Sequence, residues 1–402
     1  MAFVTYKEKL KALSRKLVEV QKPIRILNSI RVDPQWETEL RAADFKSIPK
    51  DARSLGATDD LGLHLQKICD QYLLVVELLK NRGRADFYKI SRELYGSPKD
   101  CFAQDSNTIS QMSRLLYDIL TGVGPAFAHL HDAEDIPAEQ VVETLNQRFA
   151  AYFHDHKVVA KISDRIVADA AAGGDKVKIR QGAMFSARDV DLYEVHEGWV
   201  HVGTTLNGRS QHICEFLSIG PPRCAPTQEG LAVIMEIFTF RSFIQRAKLI
   251  NDRIICIEKA EDGANLLEVI EYLRTEGYSE GDCLANAFRV FRGGTLDGGA
   301  PFTKDIAYCK GFIENYNFLR SAIRASRPEL IPFLFVGKLH VDDIPMLYAK
   351  FQEGLIDPPH FLPPHFKDLN WLAVWMSFSS FFNQVDLQSV QAHYQKMFDR
   401  HL

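Results

Sequence analysis

Apolar residues recur along most of this chain at helical spacing, and one short stretch near the middle breaks that rhythm. Phe3, Leu10, Leu13, Leu17 and Val20 fall close to every third or fourth position, the spacing of a single helix face. Lys7, Lys9, Lys11, Arg15 and Lys16 interleave with them and read as the wet side of an amphipathic helix rather than a phosphate-binding arm. Pro23 fits the start of a second short helix through Ile24, Ile26, Leu27 and Ile30, and Pro34, before Trp36, fits the first turn of a third. Leu61 to Leu79 predicts a longer helix with Leu65, Ile68, Cys69, Tyr72 and Val75 along one side, and Pro137 to Phe153 predicts another. Composition then shifts. Val158 to Val167 is rich in β-branched residues, Ala170 to Gly174 reads as a turn, and Val177, Ile179 and Met184 continue as strands. A small sheet is expected directly before the next helix.

That helix has a start signal in Ser186 as N-cap with Asp189 three residues on, and a stop signal in Asn207-Gly208. Leu192, Val195, Trp199, Val202 and Leu206 form its inward stripe, with His196 and His201 off it. A further helix is expected from Pro226, with Thr227 as N-cap, through Leu231, Val233, Ile234, Ile237 and Phe238 and past Phe243. Shorter helices near Leu266 to Leu273 and Cys283 to Val290 lead into a glycine-rich loop, Arg292 to Gly299, and Phe302 to Tyr308 opens the next helix. Phe333 to Gly337 fits either a strand or a buried helix end. Pro358-Pro359 and Pro363-Pro364 mark an ordered loop, and two helices close the chain, the first of which, Trp371 to Phe382, reads as buried. The expected fold is mainly helical α+β, with an N-terminal helical subdomain over 1–125 and a catalytic domain with a small β-sheet over 126–402.

Composition narrows the function classes. At 402 residues, 46% hydrophobic and 25% charged, the chain can bury a normal globular core and exceeds the usual single-domain size. A net charge of −4 leaves no electrostatic footprint for nucleic acid. No apolar run approaches the length of a membrane span, and lysines interrupt the N-terminus where a signal peptide would be apolar. A cytoplasmic protein without a membrane partner is expected. Seven cysteines with no Cys-x-x-Cys spacing argue against a disulfide framework or a thiolate zinc cluster. Cys214 and Cys224 read as reduced packing residues.

The candidate chemistry lies in His196-Glu197-Gly198-Trp199-Val200-His201 and in Gln228-Glu229-Gly230-Leu231-Ala232. Zinc takes imidazole nitrogen and carboxylate oxygen, and catalytic sites commonly use three protein ligands plus water. In the familiar His-Glu-x-x-His helix the imidazoles are four apart and share a face. Here they are five apart, which on a regular α-helix separates them by about 140°. One ion therefore demands a π-bulge or broken turn within Glu197 to Val202, and Gly198 sits where the backbone would relax. Glu229, on the following helix, is the candidate third ligand, and Gly230 would let that helix approach the histidine helix closely. Glu197, adjacent and unligated, can carry a proton from the zinc-bound water to the leaving group. Glu194 and Glu236 could orient the histidines, and His212 is a rival ligand beyond Gly208. The duller alternatives are that His201 is a satisfied core histidine and Glu197 a solvated helix carboxylate.

At these residues the chain resembles the flavohaemoglobin expression-modulating QEGLA-motif proteins and the related microtubule-associated tyrosine carboxypeptidases, which are zinc metallopeptidases. The likeness runs through the His-Glu-x-x-x-His helix to Thr205-Leu206-Asn207-Gly208, the Gln228 to Ala232 motif, Phe288 to Gly294, Phe302 to Tyr308 and Phe335 to Leu339. It implies a zincin-like metallopeptidase core with one zinc ion per chain, held by His196, His201 and Glu229, with Glu197 as the catalytic glutamate. It also implies a peptide or protein C-terminus as substrate; the eukaryotic relatives remove a C-terminal tyrosine from tubulin, a substrate that does not transfer automatically. Gripping a terminal carboxylate suits arginine, so Arg289, Arg292 and Lys304, flanking the glycine-rich loop, are candidate substrate residues, with Tyr308 a candidate oxyanion donor. Arg289 and Arg292 could equally cap helices or pair with acids. The glycine-rich loop lacks the context and lysine of a nucleotide P-loop. The competing function is a non-catalytic regulator in which the zinc site is structural or vestigial.

Overall fold

The computed structural model describes residues 5–27, 45–127 and 133–401, apart from positions 57, 103, 104, 155, 167, 383 and 385. Helix α1 (Tyr6–Leu27) buries Leu10, Leu13, Leu17 and Val20, as the apolar spacing predicts. It continues through Pro23 to Leu27, so Pro23 does not open a separate helix. The elements expected at Ile30 and Pro34 lie outside the described residues. A helix over 45–52 (α2), α3 (Asp60–Lys80), α4 (Asp86–Tyr95) and α5 (Ile109–Phe127) complete the helical N-terminal part.

The middle of the chain holds the sheet. Short strand β1 (Ile136–Pro137) leads into α6 (Ala138–Tyr152). Strands β2 (Val159–Ser163), β3 (Ala170–Gly173) and β4 (Lys176–Arg180) form a sheet of order β2-β4-β3, with β2 parallel and β3 antiparallel to β4. The alanine run expected as a turn is thus an edge strand. The turn itself starts at Gly174, whose φ of +69° suits glycine. Strand β5 (Met184–Phe185) pairs back on β1.

Helices α7 (Ala187–Tyr193) and α8 (Gly203–Ser210) flank a nine-residue π segment, Glu194–Val202. Then come α9 (Ala225–Phe238), α10 (Ile244–Glu261), α11 (Leu266–Thr275), α12 (Glu280–Phe291), α13 (Ala307–Arg324), α14 (Ile344–Gln352), α15 (Pro364–Lys367), α16 (Leu369–Phe382) and α17 (Leu387–His401). Phe333 to Phe335 end a 3₁₀ segment rather than a strand. Helix α9 begins two residues before Thr227 and ends at Phe238. Thr227 is therefore inside the helix, where its hydroxyl accepts the Val341 N–H at 2.9 Å, and the apolar run past Phe243 belongs to α10.

Three apolar cores result. The largest joins Leu10, Leu17, Leu61 and Val76 of the N-terminal helices to Val195, Trp199, Leu231 and Phe335. A second packs Val177 and Ile179 of the sheet on Phe149, Phe153 and Val202. A third binds α10, α11 and α12 through Ile254, Leu273 and Phe291. The π segment is thus clamped between the first two cores. All seven cysteines are unpaired, with Cys214 and Cys224 buried as packing residues.

Three glycines are spacers of a different kind from those the sequence suggests. A Cβ on Gly208 would lie 2.3 Å from the Leu217 carbonyl carbon, and α8 runs on to Ser210; Asn207-Gly208 is a packing device, not a stop. The Asn207 amide holds the Phe335 and Phe361 carbonyls at 2.7 and 2.8 Å, which ties the proline-rich loop down. A Cβ on Gly230 would lie 1.9 Å from the Gly311 carbonyl carbon, so Gly230 admits α13 and not the histidine helix. A Cβ on Gly198 would lie 2.4 Å from Phe149 Cε1; its role is to seat that ring against the π segment.

Helix α16 is not buried as expected. Leu372 and Met376 are covered, but Trp371 is 76% exposed, and Val374, Trp375, Phe378, Phe381 and Phe382 are largely exposed too. Its apolar residues ring the helix, but among the described residues chiefly α15 and α13 pack on it, so composition alone misleads about burial. Among the described residues, no helix is long and apolar enough to cross a membrane.

One buried group makes the fold pH-sensitive. His64 is held neutral by burial, its pKa lowered from 6.5 to about 4, 3.7 Å from Asp343. The unfolded chain takes up that proton first as pH falls. Stability is therefore full above pH 6.5 and drops on acidification toward pH 4, by on the order of 3 kcal/mol. His64→Gln is expected to flatten the dependence of the urea midpoint on pH across that window.

Candidate metal centre

The site is built on the switch from α to π winding. Ser186 caps α7: its hydroxyl accepts the Asp189 N–H at 3.2 Å and the Asp189 carboxylate accepts the Ser186 N–H at 2.9 Å. From Glu194 the backbone changes to i→i+5 bonding, which makes residues five apart neighbours on one face. His196 and His201 thereby converge, with ring centroids 4.9 Å apart. The backbone departure demanded by the five-residue spacing is present, and it is longer than one bulge.

Glu229 enters from α9. Its Oε2 lies 3.7 Å from His196 Nε2 and 3.6 Å from His201 Nε2, and the three ligand atoms all fall within 4.8 Å of one another. That Oε2 is buried and has no hydrogen-bond partner. A buried carboxylate oxygen left bare is costly, and an ion bound between the three atoms would satisfy it. Burial favours the protonated form of Glu229, but the two histidines outweigh it and hold the carboxyl well below its ordinary range. His196 is likewise opposed by burial, yet Glu229 and Glu236 raise it to about 9. Glu229 and Glu236 thus surround His196 with negative charge, a setting that suits a dication.

Each imidazole is aimed by a second partner. His196 Nδ1 lies 2.6 Å from Glu236 Oε1, so Nε2 points at the cluster. Glu236 is held in turn by Arg246 at 3.2 Å, and Arg246 and His196 keep its carboxyl at about 2 against the opposing effect of burial. His201 Nδ1 approaches Gln228 Oε1 at 3.5 Å, and that oxygen also accepts from Lys338 Nζ at 2.7 Å and Thr204 Oγ1 at 2.9 Å. Such partners fix tautomer and ring direction in metal-binding histidines. Glu194 does not reach a histidine; it pairs with Arg148 and Arg241 at 3.0 and 2.9 Å. His212 is remote from the cluster, bound to Asp357 at 2.5 Å.

Glu197 also reaches the cluster. Its Oε2 accepts the Ala172 N–H of edge strand β3 at 2.6 Å, and its Oε1 is 3.9 Å from His196 Nε2. The side chains of Glu197, His201 and Glu229 keep 12–14% exposure while His196 keeps 4%, so the cluster is mostly buried but not sealed from solvent.

The four proposed substrate residues are placed unequally. Tyr308 is beside the cluster, its ring centroid 6.4 Å from that of His196. Lys304 lies near Glu229, and burial lowers its pKa. Arg289 is engaged by Asp305 in two hydrogen bonds, 2.6 and 3.0 Å. Arg292 is exposed, with its guanidinium 4.9 Å over the Phe302 ring. Gln228 and Lys338 lie inside the Gln228–Ala232 and Phe335–Leu339 motifs without standing out there, and no local signal in the sequence marks Arg246 or Arg253.

Two imidazoles and a carboxylate converging on one point define a site able to hold a metal ion. Residues 19–384 match the microtubule-associated tyrosine carboxypeptidase family. The chain belongs to that family, which supports a carboxypeptidase-like enzyme acting on protein. No curated protein sequence shows significant similarity to the chain.

Proposed function

We propose that the protein is a zinc-dependent carboxypeptidase, with His196, His201 and Glu229 holding one zinc ion. The observation that carries this is the buried Glu229 Oε2, unpartnered and equidistant from two imidazole nitrogens that are themselves aimed from behind. When bound there, zinc would polarise the scissile carbonyl and acidify a water.

The remaining steps fall to side chains. Glu197 is the general base: its carboxylate, tethered through Oε2 to Ala172, takes a proton from the attacking water and delivers it to the leaving amine. Glu236 holds the proton on His196 Nδ1 and keeps Nε2 free. Tyr308 has no hydrogen-bond partner for its hydroxyl among the described residues and stands where it can donate to the oxyanion. A helix carrying the donors beside the edge of a small sheet supports a zincin-like core.

Metal analysis tests this first. About one zinc per chain is expected, with peptide hydrolysis lost on chelation and restored by zinc; a metal-free protein that still hydrolyses peptide would sink the proposal. Glu236→Ala is expected to weaken zinc affinity about 10–100-fold, read by competition with a chromogenic chelator.

A further inference from the structure

We propose that Arg253, assisted by Lys304, seats the α-carboxylate of the substrate's last residue. The proposal rests on the carboxypeptidase reading and names the group that makes the enzyme act at chain ends.

Arg253 lies on α10 and is only 8% exposed. Its Nε donates to Asn286 Oδ1 at 2.8 Å, and Asn286 is itself anchored to the Asp282 carbonyl at 2.8 Å. The guanidinium carbon is 5.9 Å from the centroid of Tyr308, the ring that stands 6.4 Å from His196. A single aromatic ring therefore connects Arg253 to the metal ligands. Its two terminal nitrogens have no partner among the described residues. The nearby acid, Asp305, is occupied by both arms of the Arg289 fork.

This is an unusual state for a buried cation. A largely buried guanidinium with no hydrogen-bonded anion is costly, and burial together with neighbouring Arg289 outweighs Asp305 and lowers the Arg253 pKa to about 10. It is still charged at neutral pH. Lys304 adds a second positive group on the Glu229 side, also without a hydrogen bond among the described residues. What the pair lacks is a small planar anion. The planar fork, held through Nε with its outer N–H groups free, matches a carboxylate in two parallel hydrogen bonds. Tyr308 neighbours both that seat and His196, so one bound residue would present its carboxylate to the first and its peptide carbonyl beside the second. A C-terminal amide or an internal peptide segment would leave the fork buried and unpaired, and a site built this way rejects such ligands strongly.

The alternative is that Arg253 only braces α10 against α12 through Asn286. Two peptides of one sequence, one ending in a free carboxylate and one in an amide, separate the two roles. The zinc-loaded wild type is expected to favour the acid in kcat/KM by about 100-fold or more. Arg253→Gln should lower kcat/KM for the acid by about 100-fold, mainly through KM, with a far smaller effect on the amide, so the preference collapses. Arg253→Lys, which keeps charge without the fork, and Asn286→Ala, which releases Nε, should lose part of it. Should Arg253→Gln fail to fold, those two variants carry the same readout. Full acid preference retained in the variants that fold overturns the role of Arg253 while leaving the peptidase intact. A wild type that cleaves neither peptide overturns the carboxypeptidase reading itself.

Discussion

Glu197→Gln is expected to lower peptide hydrolysis by at least about 10²–10⁴-fold, the usual contribution of a positioned general base, with zinc content unchanged. Glutamine preserves the shape of the side chain and an oxygen to accept the Ala172 N–H that holds Glu197 at 2.6 Å. It removes only the capacity to take a proton. Because Glu197 is outside the His196, His201 and Glu229 cluster, the metal should remain at wild-type stoichiometry. Metal analysis and turnover measured on the same preparation check both halves. A variant that also loses zinc would move Glu197 into the ligand set, and one that keeps full turnover would end its role as base.

The second large effect is on the fold. Helices α9 and α13 cross at glycine: a Cβ on Gly311 would lie 1.6 Å from the Pro226 carbonyl oxygen, and one on Gly230 would meet the Gly311 backbone. Backbone cannot yield as a flexible side chain can, so Gly311→Ala must push the helices apart. Overpacking typically costs about 1–3 kcal/mol and occasionally more; the upper end is expected here. Since α9 carries Glu229, zinc affinity should fall together with the urea midpoint. Gly122→Ala in α5 is the control. Nothing lies within 4 Å of its Cβ position, and the gain in helix propensity should leave the protein as stable or more stable, by up to about 1 kcal/mol.

These two helices also show where sequence reading reaches its limit. The His196–His201 spacing forced a prediction about winding, because five residues on an α-helix cannot serve one ion, and the π segment answers it. Amphipathic spacing likewise placed α1 and its buried leucines. Glycine was legible as a sign of close approach but not of its partner: Gly230 faces α13, Gly198 faces Phe149, and Gly208 faces Leu217. Arginine was harder. Arg289 and Arg292 stood beside a conspicuous loop, yet one is bound by Asp305 and the other rests on Phe302. Arg253, in the middle of an ordinary helix, approaches Tyr308 only through the folding of α10 against α12 and α13. Exposure of α16 was invisible for the same reason, since its apolar residues do not say which neighbours will cover them.

The most direct measurement is a peptide-library digest read by mass spectrometry, with zinc-loaded wild type beside Glu197→Gln. The expected result is loss of single residues from free C-termini by the wild type alone, with the identity of the residue giving the preference. Internal cleavage, cleavage by both proteins alike, or no cleavage by a protein carrying its zinc would contradict a zinc carboxypeptidase; the last result would favour a regulator in which the metal is structural.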